Sequence, residues 1–102
     1  MCQDPRMKVL FVISADVVDR ALLDEYRAHA KPSMARYGAR MLAGANDAEI
    51  VEGEPIGTRV VVVEFPSREA FHAWYDDPEY AGPLAMRLRA TKGVALLVDG
   101  RE

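Results

Sequence analysis

The sequence predicts one α+β domain whose elements run β-α-β-β-α-β, with a four-stranded antiparallel sheet. Three observations predict it. Short β-branched, aliphatic and aromatic runs recur along the chain, two stretches with apolar residues at helical spacing separate them, and Gly- or Pro-bearing turns mark the junctions. A length of 102 residues suits a single core, because a chain of this size removes roughly 60–70% of its surface from water on folding. The expected boundaries are a flexible polar leader over residues 1–7 and the domain over residues 8–100.

Lys8 to Ser14, KVLFVIS, has strand length and composition. Asp19 then caps a helix with Leu22, Leu23, Tyr26 and Ala30 on one face, until Pro32 removes an amide donor and kinks or ends it. A short continuation carries Met34 and Tyr37 to a stop at Gly38. Arg40 to Gly44 and Glu49 to Glu52 are expected to be two halves of one strand, with residues 45–48 as a bulge or small excursion between them. The turn from Gly53 to Gly57 brings back Arg59 to Phe65, RVVVVEF, as the hairpin partner.

Ser67 is the expected N-cap of the second helix, with Pro66 and Phe71 as its hydrophobic staple and Ala70, Phe71, Trp74 and Tyr75 as its apolar face. Asp77-Pro78-Glu79 restarts a helix, and Gly82-Pro83 is expected to break it. The pattern resumes from Leu84 to Ala90, Gly93 ends it, and Val94 to Asp99 forms the last strand. This order is the split βαβ arrangement of ferredoxin-like domains, with both helices on one face of the sheet.

Side chains alternate along a strand, so a sheet face left to water should be polar. Here both faces are apolar. Val9, Phe11 and Ile13 oppose Leu10 and Val12; Val61, Val63 and Phe65 oppose Val60 and Val62; Ala95 and Leu97 oppose Val94, Leu96 and Val98. Two helices cover one face only, so a second copy of the chain, sheet against sheet, is the expected cover for the other.

Composition narrows the partners. Thirteen basic and sixteen acidic residues give a net charge of −3, and the densest basic stretch, Arg87, Arg89 and Lys92, fits a helix C-terminus better than a phosphate track. Nucleic acid is therefore not an expected partner, nor is a membrane, since the run Val9 to Ile13 is far too short to span one. Cys2 is the only cysteine, so no intramolecular disulfide forms, and a cytoplasmic location is expected.

The string Glu64-Phe65-Pro66-Ser67, then Trp74-Tyr75, Asp77-Pro78-Glu79-Tyr80, and Arg87 with Ala90 resembles the bacterial family called domain of unknown function 1330. Glu25-Tyr26-Arg27, Gly38 with Arg40, and Glu52-Gly53 extend the resemblance from about Lys8 to Gly100. It implies a dimeric α/β-barrel, in which two ferredoxin-like sheets pack face to face. That superfamily includes cofactor-free and haem-degrading monooxygenases, lactone isomerases and ligand-sensing domains, so the fold does not choose among them. Gly82-Pro83 and His29 depart from the family's usual pattern.

Trp74, Tyr75, Tyr80 and Arg87, with Tyr26 on the first helix, form the expected ligand-binding cluster, because amphipathic rings and a planar cation suit an aromatic or carboxylate-bearing molecule. The competing reading makes Trp74 and Tyr75 plain core. Glu64, set among Val and Phe, is a possible base, against the reading of a strand-end charge paired to Arg36, Arg40 or Arg87. His29 shares a helix face with Glu25 and offers a group titrating near neutral pH, against an exposed Glu–His pair. A metal needs more ligands than His29 and His72 supply, and no phosphate loop, nucleophile motif or dinucleotide fingerprint is present, so neither metal nor cofactor is expected.

The expected function is therefore a dimer binding a small, partly apolar or aromatic ligand. The alternative is a cofactor-independent monooxygenase or isomerase for a phenolic or lactone substrate, with His29 or Glu64 as base. Both require an enclosed pocket bordered by Tyr80, Arg87 and one of His29 or Glu64.

Overall fold

A computed structural model describes residues 7–100; most of the expected leader, with Cys2, lies outside them. The chain folds as β1 (Val9–Val17), α1 (Arg20–Ala35), β2 (Arg40–Ala45), β3 (Arg59–Phe65), α2 (Arg68–Tyr75), a 3₁₀ turn (Pro78–Tyr80), α3 (Ala81–Ala90) and β4 (Thr91–Asp99). The strands form one antiparallel sheet in the order β2-β3-β1-β4, the ferredoxin-like topology expected from the sequence.

Register decides which side chains meet the helices. Phe11 stands between Val63 and Leu97, and Val12 between Val62 and Leu96. The alternate residues Val9, Phe11, Ile13, Ala15, Val61, Val63 and Phe65 are buried. They pack with Leu23, Tyr26 and Ala30 of α1, Phe71 and Trp74 of α2, and Tyr80 and Ala90 beyond. The other face carries Leu10, Val12, Val60 and Val62, partly buried, while Val94, Leu96 and Val98 of β4 are about half exposed, at 48%, 57% and 44%.

Asp19 accepts from the Leu22 amide at 3.0 Å and Ser67 from the Ala70 amide at 3.0 Å, so both helices begin where the capping residues place them. α1 runs through Pro32 to Ala35. A proline in the last turn forfeits one backbone bond without ending the helix, and Gly38, at φ +78°, turns the chain out of it.

Three expectations are corrected. Residues 49–52 are not a second half of β2, which ends at Ala45 opposite Val60. β3 starts only at Arg59, so residues 49–52 have no strand to pair with; the loop 46–58 is instead tied by Ala48 N–H to Thr58 O at 3.0 Å and Thr58 Oγ1–H to Asn46 O at 2.8 Å. The bulge lies earlier, between Met41 and Ala43.

Gly82-Pro83 does not break α3, which passes straight through them. They occupy its first turn, where an amide has no intrahelical acceptor to lose. Gly93 does not end the helix either: β4 begins directly after Ala90, and Gly93 lies inside it. A Cβ on Gly93 would lie 2.1 Å from Ser14 O and 2.6 Å from the Ala15 Cα, so the glycine is set by the close approach of β1. Among the described residues no helix is long and apolar enough to cross a membrane.

Candidate functional site

A pocket opens between α1 and the inner face of the sheet. Its floor is Phe11, Ile13, Val61 and Val63, and α1 contributes Leu23, Tyr26, Ala30 and Met34. The pleat that buries every second residue of β1 and β3 makes this floor apolar. About 40 Å³ is open to the centre of a water molecule, room for a few waters or a slim organic group. The polar groups at its margin include four cations: Arg87 from α3, Arg59 from the start of β3, and Arg27 and Lys31, four apart on α1. No Asp or Glu is among the described residues lining it.

Arg87 points inward because it shares a face of α3 with Ala90, also buried. Only 6% of the residue is exposed. Its guanidinium carbon lies 5.8 Å from the centre of the Phe11 ring, a cation–π contact, and its Nε has no hydrogen-bond partner. Arg59 donates from Nη1 to Asn46 Oδ1 at 2.7 Å. Burial, then the like charges of Arg27 and Arg20, lower the Arg59 pKa.

Tyr26 and Tyr80 meet hydroxyl to hydroxyl at 2.8 Å inside the core. Burial raises both phenol pKa values, that of Tyr80 well beyond the ordinary range, so both are neutral hydrogen-bonding groups near neutral pH. The charge of Arg87 opposes that rise at each. Tyr26 lines the pocket; Tyr80 sits one hydroxyl behind it.

Trp74 is fully buried and does not line the pocket. Its ring lies 4.1 Å from that of Tyr80, and its Nε1–H donates to Ser33 Oγ at 3.0 Å, which in turn donates to Ala30 O at 2.8 Å. Trp74 thus braces α1 against α2. Tyr75, half-buried, borders a separate hollow beside Arg87, Ala15 and Gly93.

Neither residue considered as a base reaches the pocket. His29 is exposed, one residue off the buried Leu23–Tyr26–Ala30 stripe of α1. Glu64 alternates with the buried Val63 and Phe65 and so emerges on the opposite face of the sheet. There it pairs with Lys8 at 3.7 Å and Arg40 at 3.8 Å, the strand-end ion pair of the competing reading. The border that both readings required from the sequence is not formed. Arg87 lines the pocket, Tyr80 does not and only touches Tyr26 behind it, and neither His29 nor Glu64 is there. A ligand role rests on the lining found instead, with Tyr26 in the place expected of Tyr80.

The cations Arg59, Arg27 and Lys31 and the side chains Met34 and Met41 are not site candidates in the sequence, where Arg27 enters only through the family resemblance and Met34 through the helix pattern. The i, i+4 spacing of Arg27 and Lys31 beside Tyr26 and Ala30 was the available signal for two of them. Among the described residues no group of three His, Cys, Asp or Glu gathers as a metal site.

Known structures share this architecture. A protein of unknown function from Rhodopseudomonas palustris superposes with a TM-score of 0.81 at 16% identity, over 98% of this chain and 87% of that one. A cofactor-independent oxygenase from Streptomyces nogalater gives 0.66 at 15% identity, over 94% and 95% of the two chains. A dimeric ferredoxin-like protein of unknown function from Thermobifida fusca gives 0.59 at 14%, over 97% and 96%. At such identities the likeness is one of fold. No curated protein matches the sequence. Residues 8–101 match the model of the domain of unknown function DUF1330, and the chain belongs to that family.

Proposed function

We propose that the protein is a homodimer, paired sheet to sheet, in which each protomer binds a small, partly apolar or aromatic molecule between α1 and the sheet. The observation that carries the binding role is the pocket itself, an apolar slot with a buried guanidinium and a neutral phenol at its margin. Such a combination of apolar walls and few convergent polar groups is typical of ligand sites.

The outer sheet face supports the pairing, since Leu10, Val12, Val60, Val62, Val94, Leu96 and Val98 form a contiguous aliphatic surface. It continues into an open groove of about 390 Å³ between Val60 and the exposed Ile50 and Val51 of the 46–58 loop. The dimeric relative in fold from T. fusca is consistent with this arrangement.

A second reading, oxygenase or isomerase activity without a cofactor, draws support from the neutral Tyr26 hydroxyl in the pocket, a donor able to hold a developing oxyanion, and from the fold shared with the S. nogalater oxygenase. In that reading Tyr26 and Arg87 orient the substrate. His29 and Glu64 are not positioned to act in the pocket of their own protomer.

Native mass spectrometry of freshly purified protein tests both parts of the proposal. The expected spectrum is a dimer carrying up to two equivalents of a small molecule. A monomer, or a protein that neither retains nor takes up any apolar or aromatic molecule, overturns the corresponding part. Turnover of a quinol or phenol panel in air would establish the second reading, and its loss in Tyr26→Phe would place the chemistry in this pocket.

A further inference from the structure

We infer that the molecule held between α1 and the sheet is a small carboxylate, its acid group seated on Arg87 and its apolar body on Phe11, Ile13 and Val61. The inference rests on the binding role proposed above and names the ligand class.

A guanidinium stays charged at any pH a protein survives, and a charge taken out of water is costly unless a counter-charge and hydrogen bonds accompany it. Arg87 is nine-tenths buried, yet its neighbours are the neutral Phe11 ring and the neutral Tyr80 hydroxyl, and its Nε donor is idle. No ion pair to Arg87 exists among the described residues, and no carboxylate lines the pocket. Three more cations crowd the same margin; among the described residues Asp24 pairs with Arg27 at 3.9 Å and its charge also reaches Arg59, but Asp24 does not line the pocket. The described residues therefore concentrate positive charge around an apolar slot whose lining holds no carboxylate.

The missing partner is an anion that also has apolar surface. A carboxylate fits the side of a guanidinium through two parallel N–H donors, Nε and one Nη. A phosphate would meet the cations but has no apolar surface to lay on Phe11, Ile13 and Val61, so it leaves the floor of the slot unused. On its other side Arg87 borders the hollow lined by Ala15, Tyr75 and Thr91, where it is the only charged residue among the described ones. The four cations meet only on the α1 side, which fixes where the acid sits.

Matched acids and amides test the inference, because they differ in charge but hardly in shape. The full chain is titrated at low salt with butyrate and butyramide, benzoate and benzamide, and phenylacetate and phenylacetamide, following the methyl resonances of Ile13, Ala30, Met34 and Val61. The acids are expected to shift these methyls and to bind about tenfold or more tighter than their amides, since a hydrogen bond to a charged group contributes about 1.5–3 kcal/mol. The preference should shrink as salt is raised.

Arg87→Met should abolish the preference while raising the melting temperature of the ligand-free protein by several degrees, as replacement of an uncompensated buried charge does. Should that variant fail to fold, Arg59→Gln at the margin is expected to cut the preference several-fold. Equal binding of acids and amides overturns the carboxylate inference and leaves the pocket reading standing. Absence of all six from these methyls overturns both. An undiminished preference in Arg87→Met overturns the seat on Arg87, and in Arg59→Gln, where that variant is used, it overturns the placement of the acid at this cation margin.

Discussion

Two phenols that meet in the dark of the core illustrate how single residues set this protein. Tyr26 and Tyr80 each bury a hydroxyl that meets the other's 2.8 Å away. Tyr80→Phe leaves the buried Tyr26 oxygen without that bond, and a loss of about 1–3 kcal/mol in urea unfolding is expected. The double variant Tyr26→Phe/Tyr80→Phe should lose clearly less than the two single losses combined, because both polar groups then disappear together; strict additivity would refute the pairing. Nearer the surface, the Tyr37 hydroxyl donates to Asp77 Oδ2 at 2.6 Å while Asp77 Oδ1 accepts from the Glu79 amide at 2.9 Å. These bonds hold the Asp77 carboxyl below its usual range, and Asp77 in turn raises the Tyr37 phenol. The sign follows from linkage. The Asp77 contribution to stability is present above its unfolded-state pKa of about 3.9 and is lost as pH falls through the lower folded value. That of Tyr37 is present below about 10 and is lost as pH rises through its higher folded value. A carboxyl-carbon NMR titration should give Asp77 a midpoint below about 3.9, and in Tyr37→Phe that midpoint should move back up.

Elements were legible where a local rule decides them. Asp19 and Ser67 cap where capping chemistry demands, and the boundaries of β3 follow from RVVVVEF alone. Local reading failed at Gly93 and residues 49–52 for tertiary reasons, and at Gly82-Pro83 because α3 begins just before them and places them in its first turn. A glycine after a helical run has the same local signature whether it ends a helix or lets another strand approach, and only the packing of β1 against β4 tells the two apart. The two glycines therefore make opposite predictions. Gly93→Ala drives a methyl into the Ser14 carbonyl, 2.1 Å from the Cβ position, and should cost about 3 kcal/mol or more, or prevent folding. Gly82→Ala, in the first turn of α3 with nothing within 4 Å of the new carbon, should stabilise by about 0.5–1 kcal/mol by restricting the unfolded chain. Thermal unfolding of the two variants checks both signs in one comparison.

At the scale of the molecule, the second apolar sheet face could be read from the sequence because alternation alone assigns each strand residue to a side. The pocket could not. It depends on α3 carrying Arg87 over the Phe11 ring, residues far apart in the chain, and on the turn of α1 that points Tyr26 inward and leaves His29 in water. Glu64 shows both effects: its alternation was legible, but the meaning of its side depended on which face held the pocket. Its place beside Lys8 and Arg40 puts an ion pair at the border of the aliphatic face, where charges exclude wrong partners more than they add affinity. The centre of that face is Val12, flanked in register by Val62 and Leu96. Leu96 is 57% exposed, so a charge placed there meets only water in a single protomer and leaves its fold intact. In a sheet-to-sheet dimer the same charge is buried without a partner, which costs several kcal/mol at each symmetry-related site. Leu96→Glu should therefore sediment as a monomer with an unchanged far-ultraviolet circular dichroism spectrum, against a dimer for the parent chain. Glu64→Gln, at the border, should remain dimeric. A Leu96→Glu protein that still sediments as the parent dimer would place the interface on some other surface, and the aliphatic face would then need a different cover.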